Sequence, residues 1–335
     1  MRLPALPGGG AVAAERRAEL GLGALSTTVL VLIVLMIAFV FDKAWPSFAH
    51  NGLAWFGSGG PGVDQQLTDL SNSGVGPRAD YTIRAFPLLY ATALSTAVAV
   101  ILGLVLAVLT AIFITEFAPE RLRRVLEPVV RLLAAVPSVI YGLIGILVLV
   151  PFVADSFITQ QTQDSVNQVV GSLDGASLGL ASLILTIMIT PIMIAIIVNA
   201  LRAVPSSWVE GAAALGVNRW RRTWTISVRV ARPAIIAAAV LATARALGEA
   251  IMLSMVSGTQ PFSPNPLDGF LFFLEPARPL AATIVDNGEA VSGFTTAPFG
   301  RTIYAFAAVL LVSSVLLSLG GFVAKQPLRK YGMRP

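Results

Sequence analysis

Six stretches of this sequence each run for twenty or more residues with at most two charged side chains, and that feature decides where the chain can live. They lie near Gly21 to Phe41, Leu88 to Thr115, Val129 to Val153, Leu178 to Ala200, Ala234 to Gly258 and Thr302 to Ala324. Crossing the hydrocarbon of a bilayer takes about 20 largely apolar residues. The second stretch is long enough to cross with appreciable tilt. Apolar residues make up 56% of the chain and charged residues 12%, where a soluble domain carries about 25% charged. Such a sequence cannot hide its apolar side chains in one water-facing globule. In lipid, helical spans satisfy their own backbone polar groups. The expected fold class is therefore an all-α polytopic membrane protein with about six transmembrane helices.

Several chemistries are excluded early. The chain has no cysteine, so disulfides, thiolate metal sites and a cysteine nucleophile are ruled out. Its one histidine, His50, sits beside a Gly-rich loop and reads as a solvated residue, because a metal or catalytic centre needs several convergent ligands. The net charge of +5 comes from arginines clustered between apolar runs, a pattern that reports membrane topology rather than nucleic-acid binding. No phosphate-cradling GxxxxGK[ST] loop is present. The chain is thus not expected to be an enzyme or to hold a cofactor, and any ATP and Mg would sit on a partner.

Orientation follows from the basic residues of the short connections. Arg2, Arg16 and Arg17 precede the first span, and Arg121, Arg123, Arg124 and Arg131 lie between or near the second and third. Arg202, Arg219, Arg221, Arg222, Arg229 and Arg232 lie between the fourth and fifth, and Lys325, Arg329, Lys330 and Arg334 follow the sixth. The other side carries only Lys43, Arg78, Arg84, Arg278 and Arg301. Both termini are accordingly expected in the cytoplasm, with residues 1–20 and 325–335 as tails flanking a membrane domain at 21–324. Ser47 and Ala49 offer a small-x-small site after a basic start, but the preceding apolar run exceeds that of a signal peptide and reads as a retained helix. The long outer connections, Asp42 to Phe86 and Thr259 to Arg301, read as Gly/Pro/Ser-rich loops. Within the later one, Leu267 to Leu274 and Leu280 to Val285 are apolar but too short to span, and fit the membrane surface or a partial dip.

Three segments carry candidate function. The cytoplasmic connection at 204–233 holds a helix-forming Glu-Gly-Ala-Ala-Ala-Leu run, a break at Gly216 and a basic segment with Trp220 and Trp224. It suits either an amphipathic, lipid-facing loop or a docking surface where small residues let another backbone approach. In the fifth span, Arg245 lies 11 residues beyond Ala234, about 16 Å into a core about 30 Å thick. Glu249 is expected one turn later on the same face. Each charge costs about 2.5 to 3.5 kcal/mol at that depth, so the two residues must face protein or water. They fit either a structural salt bridge or a site where the guanidinium fork meets a passing oxyanion. In the third span, Pro137 falls about 12 Å from Val129. It removes a backbone donor and frees a carbonyl, while Ser138 and Tyr141 add hydroxyls at the same level. That is either a kink or part of a path.

The cytoplasmic segment resembles the EAA loop of ABC importer permeases, whose pattern is Glu-Ala-Ala, three residues, Gly, nine residues, then Ile-x-Leu-Pro. Glu210, Ala212, Gly216 and Ile226 fall in register, with Val228 in place of Leu. Gly211 replaces the first Ala, and Arg229 stands where Pro is expected, the nearest being Pro233. Two further stretches, LAAVPSVIYGLIGILVLVPF at Leu133 to Phe152 and ARALGEAIMLSMVSG at Ala244 to Gly258, resemble the PstC permeases of phosphate-specific transport systems. Ala250 stands where that family usually has Thr. The resemblance implies a type I permease fold in the cytoplasmic (inner) membrane, importing inorganic phosphate along a path with Arg245, Glu249, Ser138 and Tyr141. Glu210, Ala212 and Gly216 would then couple it to an ATPase. The implied partners are a second, PstA-like permease, a PstB-like cytoplasmic ATPase dimer and a PstS-like phosphate-binding protein, with membrane lipid and no nucleic acid. A midplane arginine would equally serve sulfate or molybdate. A secondary transporter or channel could use Arg245 and Glu249 as a proton-linked pair, though it would not need the elaborate loop at 204–233.

Overall fold

The computed structural model describes residues 9–59, 63–72, 82–159, 163, 173–258, 264–265, 267, 269–288 and 298–329. Every regular element among them is helical, and six helical segments are long and apolar enough to cross a membrane. The spanning segments are Arg16–Phe56, Phe86–Phe117, Ser138–Phe157, Leu178–Arg202, Arg219–Leu247 and Phe299–Gly321. Residues 1–8 and 330–335 of the expected tails lie outside the described residues.

Helix α1 (Gly9–Asn51) is a single helix of 43 residues that continues through Pro46. Its last turn contains His50, which is exposed on a helix rather than in a loop. The chain then makes a short 3-10 turn, Gly52–Phe56, and helix α2 (Val63–Asn72). These pieces order much of the first outer connection. Trp55 is fully buried there against Phe48 and Phe306, with Leu67, Ile83 and Phe299 in the same cluster. A buried aromatic of this size fixes how the outer ends of the first and last spans meet.

Helices α3 (Phe86–Ile112) and α7 (Leu178–Arg202) form the centre of the subunit. The most apolar part of α7 is 67% buried, against none for α1. Small residues allow the close approach: a Cβ at Gly103 would lie 2.8 Å from the Met193 methyl. Ser95, Ser182, Thr186 and Thr190 lie in these helices, and each donates its hydroxyl to a carbonyl four residues earlier. That keeps polar groups satisfied in an apolar core.

The third apolar stretch is not one helix. Helix α4 (Glu120–Ala135) is amphipathic with no fully buried residue, and the chain then extends through Val136 and Pro137 before α5 (Ser138–Ile144) begins. A π-helical turn, Gly145–Leu149, and α6 (Val150–Phe157) complete the span. Pro137 therefore separates two helices instead of kinking one. Its freed level is re-satisfied locally, since the Tyr141 hydroxyl donates to the Leu133 carbonyl at 3.1 Å.

After α7 come α8 (Ser206–Ala214), α9 (Arg219–Arg222), a π-helical turn at Thr223–Ser227 and α10 (Val228–Leu247). The expected continuous run from Ala234 to Gly258 is also broken. Helix α10 ends at Leu247, and a separate short helix α11 (Ile251–Val256) follows Gly248, Glu249 and Ala250. Beyond it, α12 (Leu271–Leu274) and α13 (Leu280–Asp286) are packed into protein: Phe272, Leu274 and Leu280 to Thr283 are buried. Helix α14 (Pro298–Arg329) closes the fold beside α1 and α10.

Candidate functional site

The two segments that carried the PstC resemblance are brought together. Helix α5 and the π-helical turn after it lie against α11 through glycines: a Cβ at Gly142 would lie 2.8 Å from Met255 Sδ and 3.1 Å from Met252 Cα, and one at Gly145 would lie 2.5 Å from Val256 Cγ1 and 2.7 Å from Ile184 Cδ1 of α7. Only hydrogen side chains permit that contact. The Pro-Ser-Val-Ile-Tyr-Gly run is thereby set beside the Arg-Ala-Leu-Gly-Glu run.

Depth can be read from neighbours along α7. At its C-terminal end Arg202 pairs with Glu127 of α4, while Val130 and Arg131 sit beside Ile194, Ala195 and Val198. Toward its N-terminal end Ile184 meets Gly145. The Pro137 break therefore falls in the middle third of this 25-residue helix. Ala244 shares a cavity with Ile196, and Met252 packs on Gly142, so Arg245 belongs to the same zone.

Arg245 and Glu249 do not share a helical face. Because α10 ends at Leu247, the i, i+4 relation that would stack them is lost. Glu249 turns inward, is 9% exposed, and accepts the Met252 N–H at 3.3 Å, closing the first turn of α11. Arg245 is exposed and, among the described residues, forms no ion pair. Ala250 sits in the break immediately before α11. Ser138, half-buried, opens α5 directly after Pro137.

The loop at 204–233 forms a separate surface. Helix α8 carries Glu210 and Ala212, has no buried residue, and exposes Trp208 by 48%. It ends in a six-residue closure: Val217 N–H bonds the Ala212 carbonyl at 3.2 Å and Gly216 N–H bonds Ala213 at 3.0 Å, with Gly216 at φ +77°. This is the Schellman arrangement, in which a left-handed glycine stops a helix. Asn218 then caps α9 by accepting the Arg221 N–H at 2.8 Å. Where Arg229 replaces the loop pattern's proline, the chain simply continues as helix, through Pro233 as well. Gly216→Val would force a β-branched residue into left-handed backbone at a cost of about 1–2 kcal/mol or more. The expected result is normal membrane insertion with transport reduced several-fold, measured at matched expression, and parental transport would remove this turn from the coupling surface.

Sequence reasoning used Arg123 and Arg202 only for orientation, and did not single out Glu116, Phe117 or the Glu127–Arg202 pair. Arg123 holds the end of the second span, Nε donating to the Ile114 carbonyl at 3.0 Å and Nη2 to that of Thr115 at 2.9 Å. The apolar and basic periodicity of residues 120–135 could have exposed the amphipathic helix. Nothing local could have paired residues 75 positions apart.

Comparison with known proteins settles the family. Residues 99–326, which include both signature runs and the whole loop at 204–233, match the family described as the inner membrane component of binding-protein-dependent transport systems. The chain belongs to this family of ABC importer permeases. This permease is 32% identical over 87% of its length, and 85% of the relative's, to the probable ABC transporter permease protein YqgH of Bacillus subtilis. It is 33% identical, over 69% of its own length and 73% of the relative's, to the phosphate transport system permease protein PstC of Xylella fastidiosa. A PstC protein of Mycobacterium tuberculosis is 31% identical over 76% and 77% of the two chains. Among solved structures, the permease matches a chain of the bacterial alginate ABC transporter in complex with an alginate pentasaccharide-bound periplasmic protein. The TM-score is 0.57 at 13% identity, covering 95% and 98% of the two chains, a likeness that speaks for the fold alone. The permease is thus a multi-pass inner membrane transporter subunit resembling PstC, and its family implies an ATPase and a binding protein as partners.

Proposed function

We propose that this permease imports inorganic phosphate, with Arg245 meeting the anion halfway across the membrane. The observation that carries the reading is Arg245 itself, exposed at mid-depth, without a carboxylate partner among the described residues, and in the zone of Tyr141 and Ser138. An anion of between one and two charges cannot cross a low-dielectric core without a counter-charge. A guanidinium supplies that charge and a planar fork of donors matched to tetrahedral oxygens. Ser138 adds a hydroxyl at the same level, and Tyr141 another, whose single proton is held by the Leu133 carbonyl and reaches the anion only when that hydrogen bond is released. Glu249, turned away into the protein, shapes the backbone at the foot of α11 and leaves the guanidinium available. The separation of Arg245 from Glu249 argues against a proton-linked pair. The choice of phosphate over sulfate or molybdate is supported by the PstC-named relatives.

In this reading both termini are cytoplasmic and α8 docks into a PstB-like ATPase dimer, which supplies the energy. A PstA-like permease pairs with this one, and a PstS-like protein delivers phosphate from outside. Leu267 and Leu215 are 90% and 84% exposed on opposite sides of the expected membrane. In this cysteine-free chain, Leu267→Cys is expected to react with an impermeant thiol reagent added outside, and Leu215→Cys is not. External labelling of Leu215→Cys would reverse the orientation. Substrate is tested by uptake of labelled phosphate into vesicles holding the complete importer. Uptake should require both ATP and the binding protein and persist in excess sulfate or molybdate. Equal competition by sulfate would overturn phosphate as the substrate.

A further inference from the structure

The second and fifth spans reach the cytoplasmic face through π-helical turns, Phe113–Phe117 and Thr223–Ser227, and those two turns are joined. Ser227, 1% exposed, donates its hydroxyl to Glu116 Oε1 at 3.3 Å. The Phe117 ring holds the Arg219 guanidinium 5.1 Å from its centroid and lies 6.1 Å from the Trp220 ring, which in turn meets Trp224 at 5.7 Å. A π turn displaces the side chains that follow it from helical register and often marks a working part of a helix. Here it delivers Phe117 to the segment that links α8 to the fifth span.

The rest of the loop is loosely held. Gly216 has nothing within 4 Å of where a Cβ would stand, and α8 has no buried residue. Any displacement of α8 thus passes through a glycine turn to α9, which is continuous with the foot of α10. On its own that would move only the fifth span. Phe117 and Glu116 give α9 and its π turn a second bearing on the second span. Arg123 ties the Phe113–Phe117 turn to α4, the helix that ends at the Pro137 break.

We propose that Phe117, supported by the Glu116–Ser227 hydrogen bond, is the positioning residue that transmits movement of the docking loop to the second span and α4. The proposal rests on the importer reading above. A contact network is not itself evidence of coupling, so the test must measure coupling. Phe117→Ala and Phe117→Trp are compared with the parent in proteoliposomes containing the ATPase and the phosphate-binding protein. Three quantities are read: ATPase subunit retained on size-exclusion, stimulation of ATP hydrolysis by the binding protein, and phosphate taken up per ATP. For Phe117→Ala the ATPase stays bound and hydrolysis continues, while stimulation is lost and uptake per ATP falls about tenfold, within the usual range of coupling between sites. Phe117→Trp, which keeps an aromatic face for Arg219, restores both. Parental stimulation in Phe117→Ala overturns the proposal, as does loss of the ATPase from both variants, which would make Phe117 part of the docking surface. If the parent shows stimulation without phosphate uptake, phosphate is the wrong substrate, and the Phe117 comparison is still decided by stimulation.

Discussion

Replacing Arg245 by Gln is expected to lower phosphate uptake about tenfold to a hundredfold at equal amounts of inserted protein, because each hydrogen bond to a charged group contributes about 1.5–3 kcal/mol. Arg245 stands in the last turn of α10, and no carboxylate among the described residues neutralises it. Its removal therefore leaves no buried partner stranded, and the fold should tolerate the change. Arg245→Lys keeps a positive charge on a shorter reach and loses the planar fork, so it should retain part of the uptake. Uptake per inserted molecule is the decisive quantity, with ATPase co-purification confirming assembly. Parental uptake by Arg245→Gln would remove the counter-charge from the account.

Gly145→Leu is expected to be strongly damaging to the membrane core. Even a single Cβ there would meet Val256 Cγ1 at 2.5 Å and Ile184 Cδ1 at 2.7 Å, and both neighbours are buried, at 0% and 3% exposure. Overpacking of this kind costs about 1–3 kcal/mol or more. Here it would also pry α5 from α11, separating Tyr141 from the Arg245 level. The variant should melt at lower temperature in detergent and transport little. Gly211→Leu is the control, since nothing lies within 4 Å of a Cβ on that exposed face. Comparable stability for the two variants would contradict the packing described here.

The number of spans was legible because the length of apolar run needed to cross a bilayer is fixed by physics, and each of the six long helices contains or overlaps one such run. Their interruptions were less legible. Pro137 pointed to a disturbance, but an apolar sequence on both sides hid the fact that α4 and α5 are separate helices. The end of α10 at Leu247 left a weaker trace, one glycine in a run of helix-forming residues. Missing that end made Arg245 and Glu249 look like an i, i+4 pair, when tertiary packing of α11 on α5 turns Glu249 inward. Gly216 was readable as a bend because a glycine after a helix-forming run has one common use, the left-handed stop. Phe117 gave no local sign. Its role depends on two helix feet meeting across more than a hundred residues of chain, as Ser227 and Glu116 do at a separation of 111.

The most direct test of Arg245 as a counter-charge, and not as half of a brace, is uptake by the double variant Arg245→Gln with Glu249→Gln. A buried ion pair removed as a unit can leave folding nearly unchanged and so restore what either single change loses. In this structure the two side chains are not paired with each other, and Glu249 instead holds the Met252 N–H. The double variant should therefore insert, retain its ATPase and transport no more phosphate than Arg245→Gln alone. Recovery of uptake toward the parental rate, at matched expression, would contradict the account and leave the two residues as a structural pair.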